Sequence, residues 1–171
     1  GLGDAMWVGD GELGAPQRAQ VCLNVKADTG RVDKAEVLKR GAEMEGGYIP
    51  SFFDTVEDEY GQLLVKPKAG YKPVKRAILA DLDHAAFPVK PLIPFSKPVH
   101  DRLRIEIARG CANGCRFCQA GIIYRPVRER SPETLMRLTR EALQNTGYED
   151  ISMLSLSNGD YSHLLPLMGQ M

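Results

Sequence analysis

The sequence predicts an α/β fold whose second half opens a parallel sheet, and three observations predict it. Leu103-Arg104-Ile105-Glu106-Ile107 places apolar side chains at 103, 105 and 107, the period of a strand with one buried face. Ser131-Pro132-Glu133 starts a helix that Gly147 ends: serine is a good N-cap, proline suits the first turn, and glutamate lies well against the helix dipole. Asp150 to Leu156 then reads as a second strand, and Ser157-Asn158-Gly159-Asp160 turns the chain into a second helix near Tyr161. Strand, long loop, helix, strand, loop, helix is a βαβα order, which implies parallel pairing.

The first half reads as a mixed α+β region. Trp7-Val8 ends a strand and runs into the Gly-rich turn Gly9 to Glu12. Ala15 to Ala27 forms a helix with Ala19, Cys22, Leu23 and Lys26 at helical spacing, and Asp28-Thr29-Gly30 ends it. Asp33 with Glu36 makes a capping-box pattern for a helix from Lys34 to Met44, with Val37, Leu38, Gly41 and Met44 on its apolar face, before Gly46-Gly47 stops it. Tyr48-Ile49-Pro50 begins an extended stretch. Gln62–Lys66 and Val74–Leu79 read as a β-hairpin joined through Pro67-Lys68-Ala69-Gly70. Residues 81–98 hold Pro88, Pro91, Pro94 and Pro98, a density that forbids a helix and suits an extended linker, so the domain boundary is expected there. In the helix after Ser131, Leu135, Leu138, Ala142 and Leu143 form the buried stripe.

Composition excludes more than it identifies. The 171 residues, 43% hydrophobic and 26% charged, suit one domain or parts of two. With 22 basic and 22 acidic residues the net charge is zero, so nothing global points to nucleic acid or a membrane surface. No apolar run approaches the ~18 residues of a membrane span, and no secretory leader pattern opens the chain. Both ends read as interior to a longer protein: the chain opens Gly1-Leu2-Gly3 and stops at Met168-Gly169-Gln170-Met171 within a helical pattern.

The chemistry concentrates in Arg109-Gly110-Cys111-Ala112-Asn113-Gly114-Cys115-Arg116-Phe117-Cys118. The spacing C-x3-C-x2-C supplies three soft thiolates, one short of a closed tetrahedral set, so a bound metal or cluster keeps an open position. Three of the four cysteines crowd together, which favours ligation in a reducing compartment over bridging; the reading is cytoplasmic. Gly110 and Gly114 let the backbone curl close, and Arg109 and Arg116 favour thiolate over thiol. This loop and the turn at 157–160 both follow strands, and in parallel α/β folds function gathers at those strand ends.

These residues resemble the radical S-adenosylmethionine (SAM) superfamily: a cysteine loop after the first strand, with an aromatic residue just before the last cysteine. The resemblance implies a 4Fe–4S cluster on Cys111, Cys115 and Cys118, with SAM chelated to a fourth iron and reductively cleaved to a 5′-deoxyadenosyl radical. It also implies an electron donor such as flavodoxin or ferredoxin. In relatives a Gly-rich turn after the second strand holds the amine of SAM. Here Ser157, Asn158, Gly159 and Asp160 occupy that turn and depart from the commoner Gly-Gly-Glu. Phe117 matches the position whose backbone lies near adenine.

The runs Arg109–Thr134 and Leu154–Ser162 further resemble an uncharacterised subgroup with an N-terminal cobalamin-binding-like domain. On that resemblance residues 1–12 are the tail of that Rossmann domain, 13–80 a connecting region of helices and a hairpin, and 81–98 the Pro-rich linker. Residues 99–171 are then the start of a partial (β/α)6 barrel, of which the first two units are present. The piece alone need have no activity, and an incomplete sheet leaves a strand edge unpaired. No D-x-H-x-x-G motif exists, and His84 directly after Asp83 lacks its spacing, so cobalamin is left to the full-length protein.

Blander readings stand beside these. A structural zinc site could complete itself with His100 or Cys22, giving a non-catalytic binding module. A methylthiotransferase-like RNA or protein modifier shares the cysteine loop, but would bring further domains. Cys22 reads as a small core residue, and His84, His100 and His163 as ordinary surface histidines. Gly9 and Gly11 read as a tight turn without a dinucleotide spacing, and Asp150 as part of the helix-to-strand turn. Arg125, Arg128 and Arg130, with Tyr124, hold either an anionic substrate or the carboxylate of SAM, or else make a solvated charged loop.

Overall fold

A computed structural model of the protein describes residues 3–170. Gly1, Leu2 and Met171, on which part of the reading of the termini falls, lie outside the described residues. The chain divides into two compact units, Gly1–Leu79 and Ala80–Met171.

In the first unit, β1 (Met6–Trp7) leads into α1 (Gly11–Thr29). The helix starts at Gly11 rather than Ala15 because Asp10, in extended backbone, takes the N-cap position. Its carboxylate accepts from the Leu79 N–H at 2.8 Å. Gly30, at φ 74°, closes the helix in the left-handed region. The buried stripe is not the expected one: Leu23 is exposed, while Gly14 and Val25 are buried and Val21 and Cys22 half-buried. Trp7 sets this face, for a Cβ on Gly14 would collide with the indole ring.

α2 (Lys34–Ala42) is capped as its sequence predicts, with Asp33 accepting from the Glu36 N–H at 3.0 Å. Its Val37, Leu38 and Gly41, with Met44 beyond it, face Trp7, Val21, Cys22 and Ile49 across a small apolar cavity. Cys22 therefore lies among core residues. β2 (Gly47–Tyr48) pairs antiparallel with β1.

The hairpin is displaced from the expected place. β3 (Phe53–Glu57) pairs antiparallel with β4 (Leu63–Pro67), whereas Val74–Leu79 contributes only a parallel bridge from Ala77 to Gly9. Asp58 makes the turn: its carboxylate accepts from the N–H groups of Tyr60 and Gln62 at 2.9 and 2.8 Å, and Gly61 adopts φ 76°. Asp54 and Glu57 mask β3 in the hydropathy pattern.

In the second unit, residues 81–98 form no α-helix and one 3-10 turn at Leu82–His84. Leu82 and Ala85 are buried, and Phe87 and Val89 pack against the core. Next come β5 (Leu103–Glu106), β6 (Ala108–Arg109), α3 (Ala120–Ile123), β7 (Arg128–Glu129), α4 (Pro132–Thr146), β8 (Ile151–Leu154) and α5 (Leu164–Met168). β5 and β8 are parallel, in register from Leu103↔Ile151 to Glu106↔Leu154, with α4 as the crossover helix. The Ile107 N–H extends the pairing by one bond, to the Leu154 carbonyl at 3.0 Å.

Ser131 caps α4 by accepting from the Thr134 N–H, and Gly147 ends it at φ 71°. Leu135, Leu138 and Ala142 are buried as expected and are joined by Thr139, while Leu143 is half-buried. Ile105, Ile107, Ala108, Leu135, Leu138, Tyr161 and Leu167 form the core. The second helix does not start near Tyr161. Residues Asn158–Asp160 make a 3-10 turn, Tyr161 drops into the core in extended backbone, and α5 follows from Leu164 to Met168 with Gly169 as its cap. The result is a mixed α/β arrangement of small sheets, with one β/α/β unit in the second half.

Candidate functional site

The parallel pair sets where the site's two segments begin. β5 and β8 run in the same direction, so the chain leaving β5 into the cysteine loop and the chain leaving β8 into the 157–160 turn emerge from the same end of the sheet. The loop is closed at its base, where β6 and β7 pair antiparallel, Ala108 opposite Glu129 and Arg109 opposite Arg128. Arg109 also chelates Glu106, with Nε to Oε1 at 2.9 Å and the terminal nitrogen to Oε2 at 2.8 Å, so its charge is offset by a carboxylate.

Within the loop Gly110 is required. It sits at φ 92°, and a Cβ there would lie 2.6 Å from the carbonyl oxygens of both Tyr124 and Pro126 on the returning limb. Gly114, by contrast, has open space around it. The Cys118 N–H donates to the Cys115 carbonyl at 3.0 Å, folding the C-x2-C segment into a turn that leads into α3. Gly121 of α3 is buried, and a Cβ on it would meet the Asn113 carbonyl at 2.8 Å.

All three thiols are unbridged; Cys111 and Cys118 are half-buried and Cys115 is exposed. Among the described residues no three His, Cys, Asp or Glu side chains are grouped to hold a metal ion. The donor set nevertheless fits an iron–sulfur cluster in kind: three soft thiolates on one short loop, closed by a ladder at its base. Phe117 is 93% exposed, with its ring in solvent. Cys111, Ala112, Arg125, Pro126 and Val127 line an open, mostly apolar depression beside the loop.

The turn after β8 is built by side chains. Ser155 Oγ donates to Asn158 Oδ1 at 2.6 Å, and Asn158 Nδ2 donates to the Met153 carbonyl at 3.0 Å. Asp160 reaches the cysteine loop, where its carboxylate accepts from Asn113 Nδ2 at 2.6 Å. The Ser157 side chain first, then Asn113, hold the Asp160 carboxyl below the ordinary carboxylate range. Beyond the turn, the Ser162 N–H donates to Glu129 Oε1 at 3.0 Å, and Tyr161 Oη donates to the Arg130 carbonyl at 2.8 Å. Burial pushes the Tyr161 phenol up to about 12.

The structure corrects the reading of the arginines. Arg128 and Arg130 are buried, at 6% and 2% exposure, so they do not form a solvated charged loop. Arg130 Nε donates to the Glu106 carbonyl at 3.1 Å, and a terminal nitrogen donates to that of Ala85 at 3.4 Å. Its guanidinium thus ties residue 85 and β5 together. Arg125 and Tyr124 remain exposed.

The histidines stay outside the site: His84 pairs with Asp81 at 2.8 Å on the surface, His100 is exposed, and His163 packs edge-on against Tyr161. Asn113 and Glu129 were not singled out by sequence reasoning. Both occupy unmarked positions between motif residues, and only the contact with the turn reveals them.

Comparison with known proteins agrees with this placement. The chain is 31% identical over 112 residues to an uncharacterized protein, MJ0966, of Methanocaldococcus jannaschii; the match covers 66% of this chain and 24% of that protein. The chain thus spans about a quarter of the length of the curated relative it matches. No solved structure gives a significant match. Residues 105–168, from the middle of β5 to the end of α5, match the family model described as the Radical SAM superfamily.

Proposed function

We propose that the second unit is the opening part of a radical SAM enzyme domain, in which Cys111, Cys115 and Cys118 hold a 4Fe–4S cluster and the Ser157–Asp160 turn receives SAM. The observation that carries this reading is the parallel β5–β8 pair, which delivers the cysteine loop and the turn at one sheet end. When bound, such a cluster supplies one electron to the sulfonium of SAM, which splits into methionine and a 5′-deoxyadenosyl radical that abstracts hydrogen from substrate.

The chain's own residues prepare that chemistry. The three thiols bind as thiolates and so release their protons on loading. The ionised Asp160 carboxylate and the carbonyls of the turn suit the ammonium end of SAM. Gly110 keeps the two limbs of the loop in close contact, and Phe117 stands beside the last thiol with its ring exposed.

On the same reading residues 99–171 begin the core domain and residues 81–98 lead into it. Residues 13–80 connect it to a cobalamin-binding-like domain of which residues 1–12 are the tail. A low-potential one-electron protein such as flavodoxin or ferredoxin serves as donor. A reducing, cytoplasmic setting keeps the thiols ligand-competent. No described helix is long and apolar enough to cross a membrane.

The test is anaerobic reconstitution of the chain with iron and sulfide. The expected outcome is a broad absorbance near ~400 nm and, after reduction, a spin resonance signal that SAM perturbs. A chain that binds zinc alone and forms no cluster overturns the reading.

A further inference from the structure

We propose that Asn113, inside the cysteine loop but not a ligand, is a positioning residue that ties this loop to the SAM turn, so that the two halves of the site are set together. The inference rests on the function proposed above and adds to it a coupling between cluster loop and cofactor turn.

Three contacts carry it. Asn113 Nδ2 donates to Asp160 Oδ2 at 2.6 Å, joining the outgoing limb of the loop to the turn across 47 positions of sequence. On the returning limb, Glu129 accepts from the Ser162 N–H at 3.0 Å, and the Arg130 carbonyl accepts from Tyr161 Oη at 2.8 Å. The segment 160–162 is therefore held by both limbs of the cysteine loop. The second and third contacts come from the base of the loop and hold the end of the segment. The first acts between Cys111 and Cys115 and reaches the carboxylate itself.

Asn113 is held in turn. Its carbonyl lies over Gly121 of α3, close enough that a Cβ there would come within 2.8 Å. The residue is thereby backed by a short helix while its amide spans to the turn. A change in loop shape on loading is transmitted to Asp160, and by linkage occupation of the turn acts back on the loop with the same coupling free energy.

The test uses the whole chain and begins without the cluster. Millisecond-pulse hydrogen exchange reads the peptide 157–162, where the Asp160 and Tyr161 N–H groups are bonded to the carbonyls of Ser157 and Asn158. Asn113→Ala and Asp160→Asn are each expected to raise exchange in this peptide about threefold, the loss of one charge-assisted bond at an exposed site. The double exchange Asn113→Asp with Asp160→Asn restores an amide–carboxylate bond with the partners reversed, and is expected to bring exchange back toward the parent value. An asparagine that acted through some other contact would not respond to that swap.

In the reconstituted protein, Asn113→Ala is expected to load the parent amount of iron and to need about fivefold more SAM to give the parent spin-resonance change. Parent-level exchange in the single variants, or no recovery in the swap, overturns the proposal. Parent-level SAM response in a loaded Asn113→Ala overturns the coupling. If the parent chain forms no cluster at all, the functional reading falls, while the exchange data still judge the tether by themselves.

Discussion

Gly110→Ala is the sharpest structural test of the cysteine loop. Gly110 stands at φ 92°, where an L-residue is strained by about 1–2 kcal/mol. The added methyl would also sit 2.6 Å from two oxygens, those of Tyr124 and Pro126. Both are backbone atoms on the limb that β7 pins to β6, so neither can swing aside as a side chain would. Overpacking of this kind costs about 1–3 kcal/mol more. The sum, about 2–5 kcal/mol, corresponds to a fall in the urea midpoint of about 1–2.5 M at a slope near 2 kcal/mol/M. The assay is denaturant unfolding of the metal-free chain, followed by iron content after reconstitution. Gly114→Ala is the control, since open space surrounds Gly114 and no positive φ is imposed there; its cost should stay below about 1 kcal/mol. If Gly110→Ala keeps the parent midpoint and the parent iron content, the argument that the two limbs close on Gly110 is wrong.

Two further substitutions test how the turn and the loop base are held. Tyr161→Phe removes the hydroxyl that donates to the Arg130 carbonyl at 2.8 Å and should cost about 1 kcal/mol in thermal or urea unfolding. It should also change the alkaline limb. The Tyr161 phenol is raised to about 12 in the fold, so its contribution is complete below the ordinary value near 10 and is lost as pH rises from there through 12. The phenylalanine variant should lack that share of the loss, as read by unfolding at pH 9 to 12. Arg130→Met keeps the side-chain length but strips donors from the carbonyls of Glu106 and Ala85, and should cost about 2–4 kcal/mol by the same unfolding assay.

Local signals were the legible ones. Asp33 and Ser131 cap α2 and α4 as the sequence predicts, because a cap is decided within three residues of chain. The alternation at Leu103, Ile105 and Ile107 places the buried face of β5 and the residue after it correctly, since its period needs no partner to be read. The displaced hairpin shows the opposite case. Asp58 outcompetes the Pro67–Gly70 stretch by closing its own turn with two backbone donors, and β3 carries too much charge to announce itself. In the cysteine loop the two glycines look equivalent in sequence, yet only Gly110 faces the returning limb of the loop. Arg130 was legible as a charge but not as a buried staple, because its acceptors lie 24 and 45 positions away.

That staple bears on how such a site can be built. Parallel pairing fixes where the loop and the turn begin, but a connection as long as 110–127 has large conformational freedom once it leaves the sheet. A site assembled from two such segments needs them fixed to well under an ångström or so, which demands support from outside the reacting groups. Here the support comes from polar residues that a functional reading would assign to substrate. Arg130 is consumed in holding β5 to residue 85, Glu129 in holding the segment after the turn, and Arg109 in pairing with Glu106. Of the three arginines between Cys118 and α4, Arg125 is the exposed one, and it borders the depression beside Cys111. The charge of the returning limb is therefore mostly architecture, and an anionic group reaching this face would meet the exposed Arg125, with Arg116 on the outgoing limb, rather than the cluster of arginines that the sequence displays.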